Sequence, residues 1–228
     1  MKLTERSYSA KNLRPRPAIH AEPDGSLLIV STSWGSSENA QRVNEDIVKY
    51  VQAALADVEV TSPFEFLTCL TDETNYLRIA TLIANESMYR SDNKSEYAVG
   101  VETLILLRRG SMLAFAQVGS PHFLIQREGR HLAPVSVGYD ASLEIGGTQE
   151  DLAPLPQQLL GVDAALNVRC GDFRIEDSDR LILYAGGFWP ESLWSKTMEG
   201  ADLAQITQKM VQKNPEAPFW LGLVDFQD

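Results

Sequence analysis

The sequence predicts an α+β fold in which helices cover antiparallel sheets. Three features of the 228-residue chain predict it: two segments with apolar residues at helical spacing come first, short strand-like runs follow, and one more helix and strand close the sequence. Because 44% of the residues are hydrophobic and 22% are charged, the chain is ordinary globular material that can bury a core. We therefore expect a single layered domain over residues 1–228.

The first predicted elements are an N-terminal segment, a short strand and a loop. Residues 1–24 are a candidate edge strand, and the turn signal Pro23-Asp24-Gly25 precedes a short buried strand at residues 27–30. The small polar residues at 31–37 predict a loop after that strand.

Two helices are expected next. The first follows a cap at Ser36 or Ser37, and its apolar residues recur along one face over residues 40–55. The second covers residues 74–90 behind a cap at Asp72. Each helix has one apolar face, so each should pack against a sheet.

The second half of the chain should supply most of the strands. Three strand-like runs, residues 97–107, 112–118 and 123–126, are spaced closely enough to predict antiparallel hairpins. Gly and Pro residues then mark a long irregular connection over residues 133–168, a candidate lid or binding loop. After a turn at Asp177-Ser178-Asp179, the regular elements are a strand at 180–184, a helix at 201–213 and a closing strand at 219–226.

The charge and the apolar pattern limit the classes of partner. A net charge of -11 disfavours nucleic acids and anionic membranes, because both require clustered Lys and Arg, and this leaves proteins and small molecules. No stretch reaches the ~20 consecutive apolar residues that span a bilayer, and residues 1–17 lack a signal-peptide apolar region, so we expect a cytoplasmic protein. Cys69 and Cys170 sit beside apolar residues, which predicts reduced, buried thiols.

Well-known catalytic and phosphate-binding motifs are absent from the sequence, including G-x-G-x-x-G, G-x-x-x-x-G-K-[ST], G-x-S-x-G and H-E-x-x-H. The histidines are His20, His122 and His131. They are scattered singly, whereas zinc needs three or four converging ligands. The acidic residues before the predicted strand at 180–184 are Asp172, Glu176, Asp177 and Asp179. Their spacing fits a strand end and a solvated turn better than a calcium or magnesium site.

Several stretches carry a resemblance to a known family. LLIVSTSWGSSE matches a strand and a V-A-D-G-M-G-G loop, and LRIATLIANESMY matches a second long helix. A G-T-T strand, a central hairpin and a G-D-S-R turn are resembled by the segment VETLILLRRGSMLAFAQVGSPHFLIQREGRHL. The region leading into a D-x-L-x-L-x-S-D-G element is resembled by LLGVDAALNVRCGDF and DSDRLILYAGGFW. In this order, from about Leu13 to Phe226, the segments resemble the metal-dependent protein phosphatases of type 2C. The resemblance implies a four-layer α-β-β-α sandwich with two mostly antiparallel sheets.

The sequence departs from this family at the positions of its metal-binding aspartates. In active members, aspartates in an R-N-E-D segment, the D-G loop, the S-D-G turn and a closing D-N segment hold two manganese or magnesium ions that activate a water. The matching positions here read Arg14-Pro15-Arg16-Pro17, Thr32-Ser33, Ala185-Gly186-Gly187 and Ala217-Pro218. In the G-D-S-R turn, Ser120 replaces the aspartate and His122 replaces the arginine.

The loss of these carboxylates predicts the loss of catalysis. Two divalent cations repel each other, and Thr hydroxyls and Gly backbone groups supply too little negative charge to offset that repulsion. Without the metals, the bridging water keeps a pKa near its bulk value of ~15.7, so no hydroxide nucleophile forms at neutral pH. We therefore predict no catalytic residue, no metal and no cofactor, and an inactive relative that acts as a binding or regulatory module in signalling.

Two alternatives stay open. A slip in the alignment would let Asp24, Glu38 or Glu102 hold manganese or magnesium in an active phosphoprotein phosphatase of the same fold. An unrelated layered hydrolase would instead use a side-chain hydroxyl as its nucleophile, but no His or Lys is paired with one at a recognisable spacing. Its candidate nucleophiles are Thr32, Ser33 and Ser120.

The predicted binding site consists of residues at and beside the positions matched to the family's metal site, which the resemblance places at one end of the sandwich. Its residues are Thr32, Ser33, Trp34, Ser120, His122, Gly186, Gly187 and Trp189. With Phe188, the aromatic residues predict an uncharged cleft for a protein partner, a phosphoprotein among the candidates, or for a small ligand. Alternatively, they pack against neighbouring loops. Lys11, Arg14 and Arg16 either contact a phosphate, as the family's early arginine does, or form a solvated basic tail.

Overall fold

The computed structural model describes residues 1–9, 14–56, 62–139, 156–186 and 202–226. The chain divides into two units. The one that we call the terminal unit contains both ends of the chain and comprises Met1–Arg16, Ser120–Gln157 and Glu176–Asp228. The other, the central unit, comprises Pro17–Gly119 and Gln158–Ile175.

The described residues form ten strands and three helices. In chain order the strands are β1 (Lys2–Tyr8), β2 (Ala18–Ala21), β3 (Leu27–Trp34), β4 (Gly100–Arg109), β5 (Met112–Val118), β6 (His122–Gln126), β7 (Ala133–Ser136), β8 (Arg169–Arg174), β9 (Arg180–Gly186) and β10 (Phe219–Asp225). The helices are α1 (Glu38–Leu55), α2 (Asp72–Ser91) and α3 (Leu203–Lys213). Among these helices, none has the length and apolar character needed to cross a membrane.

The central unit is a five-stranded antiparallel sheet in the order β2-β3-β4-β5-β8, with α1 and α2 packed on one face. Side chains that alternate along the strands meet the apolar stripes of both helices. The buried cluster includes Ile29, Val43, Ile47, Leu77, Ala84, Met88, Ile105 and Ala116. Burying one large aliphatic side chain stabilises a fold by about 1.5–3 kcal/mol, so this cluster holds the helices on the sheet.

The terminal unit is a second five-stranded antiparallel sheet, in the order β1-β10-β9-β6-β7. Helix α3 covers it through Ile206 and Met210, which pack in one buried cluster with Tyr184 and Leu221. The Asp202 carboxylate caps α3 by accepting from the Gln205 N–H at 2.7 Å. The predicted α+β class with two mostly antiparallel sheets is confirmed.

Of the antiparallel hairpins predicted over residues 97–126, the first is confirmed and the second is wrong. β4 and β5 do form a hairpin, but β5 pairs next with β8, whereas β6 pairs with β7 and β9 in the other sheet. The chain therefore leaves one sheet for the other at Gly119–Ser120. Sequence spacing alone could not detect this change, because the turn is as short as that of a hairpin.

The predicted loop over residues 31–37 is wrong in its first half, since β3 continues through Trp34. Backbone pairing with β4 runs from Ser31 opposite Thr103 to Trp34 opposite Gly100. The buried Ser31 hydroxyl lies 2.6 Å from Asn44 Oδ1 and 2.8 Å from Thr103 Oγ1, so small polar residues are satisfied inside the strand. In the same way, β9 extends to Gly186 and includes positions predicted as a turn.

The helix caps also differ from expectation. Ser37 occupies the N-cap position of α1, but its side chain makes no capping hydrogen bond. Helix α2 is capped by Thr71, whose hydroxyl accepts from the Thr74 N–H at 3.4 Å. Asp72, the predicted cap, lies in the first turn, where its charge is favourable to the helix dipole.

Other strands lie in segments that lack clear alternation. Residues 1–24 contain two edge strands, β1 and β2, and the predicted irregular connection over residues 133–168 contains β7 and a bridge between Leu160 and Val101. Residues 140–155 of that connection lie outside the described residues. The sequence of β8 is RCGDFR, and its polar residues and glycine give no alternating apolar pattern that would predict a strand.

The two cysteines differ in exposure. Cys69 is exposed in a turn before α2, so the prediction of a buried thiol is wrong for it. Cys170 is half-buried on β8 and packs against the cluster under the helices. Apolar neighbours in sequence did not indicate burial at position 69, because that turn lies at the surface.

An ion pair between Arg42 of α1 and Asp92 at the end of α2 links the two helices. Arg42 Nη1 donates to Asp92 Oδ1 at 3.1 Å, and Nη2 contacts Oδ2. This guanidinium lowers the pKa of the Asp92 carboxyl, although partial burial opposes the effect. Because the folded pKa lies below the ordinary 3.8, the pair stabilises the fold above that pH and is lost as the pH falls through the lowered value.

We therefore expect Arg42→Gln to lower the free energy of unfolding by about 1 kcal/mol at neutral pH, with the cost disappearing in acid as Asp92 takes up its proton. Urea denaturation at several pH values measures this. Arg90→Gln is the control, because Arg90 pairs with Glu86 on an exposed surface and its side chain is 76% exposed. A pH-independent cost for Arg42→Gln would contradict the assignment.

Candidate functional site

In the central unit, the residues matched to the family's D-G pair lie inside the sheet. Thr32 and Ser33 are 1% and 5% exposed, and the β3–β4 register places Thr32 opposite Glu102. The Ser33 hydroxyl donates to the Ser36 carbonyl oxygen at 2.6 Å. That bond closes the turn leading into α1, so the hydroxyl has a structural partner.

Glu102 is a buried carboxylate at the end of the same strands. It is 3% exposed, and its Oε2 accepts from the Trp34 indole N–H at 3.0 Å. Gly119 has a φ of +70°, and a Cβ at that position would lie 2.7 Å from Glu102 Oε1. Glycine is therefore required here both by the left-handed backbone and by the close approach of the carboxylate.

In the terminal unit, the arginine matched to the family's early arginine is inside the protein. Arg14 is 8% exposed, and its Nη2 donates to the Ser120 Oγ at 2.8 Å in a buried hydrogen bond. The Arg16 side chain is 70% exposed and lies 3.6 Å from the Glu5 carboxylate. The solvated basic tail therefore describes Arg16 but is wrong for Arg14, whose guanidinium is buried and hydrogen-bonded.

His122 follows the cis peptide bond between Ser120 and Pro121. Its Nδ1 accepts from the Gly138 N–H at 3.1 Å, so that nitrogen carries no proton in this arrangement. The imidazole also lies near Tyr184, with 5.9 Å between ring centroids. These contacts tie the segment after β7 to β6.

The positions matched to the family's S-D-G triplet lie on β9, where Gly186 pairs with Phe219 of β10. A Cβ at Gly186 would come within contact distance of the Tyr184 hydroxyl, 2.8 Å from its Cζ and 3.0 Å from Phe219 Cβ. Tyr184 is 1% exposed and Phe219 is 3% exposed, so neither has space to move away. This backbone position therefore admits no side chain without rearrangement.

Four predicted residues of the site and its surroundings are not among the described residues. Gly187, Phe188, Trp189 and Lys11 lie outside the described residues. The aromatic character predicted for the site is therefore visible only at Trp34.

Charged side chains contact two of the described site residues. Trp34 is bonded to the buried carboxylate of Glu102, and Ser120 is bonded to the buried guanidinium of Arg14. A buried charge is tolerated because hydrogen bonds replace its lost water. The motifs marked the positions of Trp34 and Ser120, but their bonding partners depend on tertiary contacts.

The carboxylates considered as substitute metal ligands have other roles. Asp24 lies in a turn, where hydrogen bonds from Ser26 lower its pKa. Glu38 is an exposed residue in the first turn of α1, and Glu102 accepts from Trp34. Across the described ranges, no three His, Cys, Asp or Glu residues are grouped closely enough to hold a metal ion.

The acidic residues before β9 are held by protein groups. On β8, Asp172 Oδ2 accepts from the Thr71 hydroxyl at 2.9 Å and from the Thr74 hydroxyl at 3.0 Å. Asp179 is buried, and its Oδ2 accepts from the Glu176 N–H at 3.0 Å. Asp172 is exposed on the strand, and Glu176 and Asp177 are exposed in the turn, as the predicted strand end and solvated turn require, whereas the burial of Asp179 differs from that prediction.

No family model and no curated protein sequence matches the chain. Solved structures do match over its whole length. The Ser/Thr phosphatase PstP/Ppp of Mycobacterium tuberculosis aligns with 100% of this chain and 99% of its own, at a TM-score of 0.66 and 13% identity. Another PstP structure contains two manganese ions.

Two further structures have the same fold. PppA of Pseudomonas aeruginosa, described as a key regulatory component of T6SS, aligns over 99% of this chain and 97% of its own at a TM-score of 0.61 and 14% identity. The phosphatase MsPP of Mycobacterium smegmatis, in complex with cacodylate, aligns over 99% and 98% at the same TM-score and identity. The predicted type 2C phosphatase-like fold is confirmed, and at these identities the similarity concerns the fold alone.

Proposed function

We propose that this chain is a catalytically silent protein with the type 2C phosphatase fold and that it acts as a binding or regulatory module in signalling. The observation that carries the proposal is that Thr32 and Gly186 occupy positions where the family has metal-binding aspartates. Thr32 is enclosed in a sheet, and Gly186 has no space for a side chain. Neither position supplies a carboxylate.

A manganese or magnesium pair does not fit these residues. Several ionised carboxylates are needed to offset the repulsion between two divalent cations. The acidic residue paired with Thr32 across strands β3 and β4 is Glu102, and its carboxylate already accepts a hydrogen bond from Trp34. One carboxylate in that position supplies too little charge for two metals.

A protein partner suits the chain better than a polyanion. The net charge of -11 favours association with basic protein surfaces and repels nucleic acids and phosphate-rich ligands. Arg14, the arginine placed for a phosphate by the resemblance, is buried against Ser120, which disfavours a phosphoprotein among the candidate partners. PppA, described as regulatory, is a precedent for a regulatory role on this fold.

The test is manganese binding and turnover measured on the same preparation. A metal site filled at 100 times its Kd would raise the Tm of a domain of this size by about 5–10 °C. We expect neither manganese nor magnesium to raise the Tm, and no hydrolysis of p-nitrophenyl phosphate or of a phosphothreonine peptide. The M. tuberculosis PstP domain under the same conditions is the positive control.

One outcome would favour the alternative over the proposal. A manganese-dependent rise in Tm together with turnover would establish an active phosphoprotein phosphatase with an unusual metal site. Calorimetric titration with the phosphothreonine peptide and its unphosphorylated form tests the phosphoprotein partner separately, and we expect no preference for the phosphate.

A further inference from the structure

The two cysteines of the chain lie in one region of the central unit, although about 100 residues separate them in sequence. Cys69 is in the turn at residues 67–70, directly before α2, and Cys170 is on the edge strand β8. Neither residue was placed in the candidate site described above. Hydrogen bonds of neighbouring residues connect the two segments that carry them.

The turn that holds Cys69 is anchored to the first turns of α2. Asn75 Oδ1 accepts from the Leu67 N–H at 2.9 Å, and its Nδ2 donates to the Leu67 carbonyl oxygen at 2.9 Å. The same amide donates to the carbonyl oxygens of Leu70 and Thr71. The backbone on both sides of Cys69 is therefore held on the helix.

The start of α2 is in turn bonded to β8 two residues from Cys170. The hydroxyls of Thr71 and Thr74 both donate to Asp172 Oδ2, at 2.9 and 3.0 Å. Side chains alternate along a strand, so Cys170 projects on the same face as Asp172, toward the helices. Cys170 accordingly packs against the cluster beneath α1 and α2. The two thiols thus flank the Thr71–Asp172 contact, each two residues away from it.

The electrostatics agree with this proximity. Burial raises the pKa of the Cys170 thiol, Arg78 opposes the rise, and the neighbouring Cys69 adds to it. Cys69 is exposed and accessible to a soluble oxidant, whereas Cys170 is half-buried. The first attack should therefore occur at Cys69, and Cys170 is placed to resolve the product.

We propose that Cys69 and Cys170 are a redox-responsive pair that forms an intramolecular disulfide, which joins the turn before α2 to the edge strand β8. This inference is independent of the proposed function, because it concerns thiols outside the candidate site and is measured without a partner or a substrate.

The oxidant is a small-molecule disulfide such as oxidised glutathione. The Cys69 thiolate attacks one of its sulfurs, forms a mixed disulfide and releases one glutathione thiolate, which takes up the proton lost by Cys69. Cys170 then loses its proton and attacks Cys69 Sγ, which releases the second glutathione. In total, two protein thiols lose two electrons and two protons, and one oxidised glutathione becomes two reduced molecules.

The experiment treats the full chain with oxidised glutathione, blocks the remaining thiols with iodoacetamide and records intact mass and non-reducing peptide maps. We expect the wild type to lose both free thiols together, with no glutathione retained, and to yield one peptide that links Cys69 to Cys170. Closing a loop of about 100 residues should also raise the Tm by at least about 4 °C, reversibly with dithiothreitol.

Cys69→Ser and Cys170→Ser are the matched variants, since each removes one thiol and nearly preserves its volume. In Cys170→Ser, the exposed Cys69 should retain a glutathione as a mixed disulfide, and in Cys69→Ser the half-buried Cys170 should react slowly. A wild type that retains glutathione on Cys69 without forming the linked peptide, or that forms only intermolecular dimers through Cys69, would overturn the proposal.

Discussion

Gly186→Asp is expected to lower the free energy of unfolding by about 3 kcal/mol or more and to leave the chain without phosphatase activity. The change restores a carboxylate at the position matched to the family's S-D-G aspartate. Its Cβ, however, would lie 2.8 Å from Tyr184 Cζ and 3.0 Å from Phe219 Cβ, both in a buried cluster. Relieving these contacts requires β9 or β10 to shift, which costs packing in the terminal sheet.

Urea denaturation measures the loss, and Gly129→Asp is its control. Gly129 has nothing within 4 Å of a built Cβ, and its φ of +64° lies in the left-handed region that Asp tolerates. The control should therefore cost about 1–2 kcal/mol through the backbone alone. A Gly186→Asp variant as stable as the wild type would refute the steric argument. Manganese-dependent hydrolysis by that variant would refute the proposal that this site cannot support phosphatase activity.

Asn93→Ala is the second substitution with a large expected effect, about 3–4 kcal/mol of lost stability. Asn93 is 6% exposed and makes four hydrogen bonds with its side-chain amide. Its Nδ2 donates to the carbonyl oxygens of Val99 and Gly161 at 2.7 Å each, and its Oδ1 accepts from the N–H groups of Ala98 and Val99. Alanine would leave these backbone groups without the amide that satisfies them.

Asn167→Ala, at an exposed position, is the matched control and should change stability by less than about 0.5 kcal/mol. Chemical denaturation of the three proteins gives the comparison. An Asn93→Ala cost no larger than that of the control would show that the amide does not hold the end of α2, the start of β4 and Gly161 together.

Where hydrophobic periodicity was strong, the sequence was sufficient to place the elements. The apolar stripe of α1 packs on one surface, and the continuous apolar run of β4 is buried along both faces of the strand, so the type of each element followed from its pattern. β3 shows the limit. Its second half carries Ser31, Thr32 and Ser33, which resemble a loop in sequence but are buried in the sheet. Asn44 and Thr103 satisfy the Ser31 hydroxyl, and the Ser36 carbonyl oxygen accepts from the Ser33 hydroxyl.

The contacts of the candidate site residues could not be predicted from the sequence. The replacement of aspartates by Thr32 and Gly186 could be recognised directly from the sequence. The hydrogen bond from Arg14 to Ser120 joins residues 106 positions apart, and that from Trp34 to Glu102 spans 68. No local pattern determines such pairs, because only the tertiary fold brings residues so far apart in sequence together.

The pairing of β1 with β10, with Lys2 opposite Asp225, gives the terminal sheet an obligatory order of assembly on the ribosome. In the chain, most of the central unit lies between β1 and β10, so β1 lacks this partner during synthesis until β10 has been made. The charged residues of β1 include Lys2, Glu5 and Arg6. Charges on an unpaired strand hinder its association with other chains, so they protect β1 from aggregation before it pairs with β10.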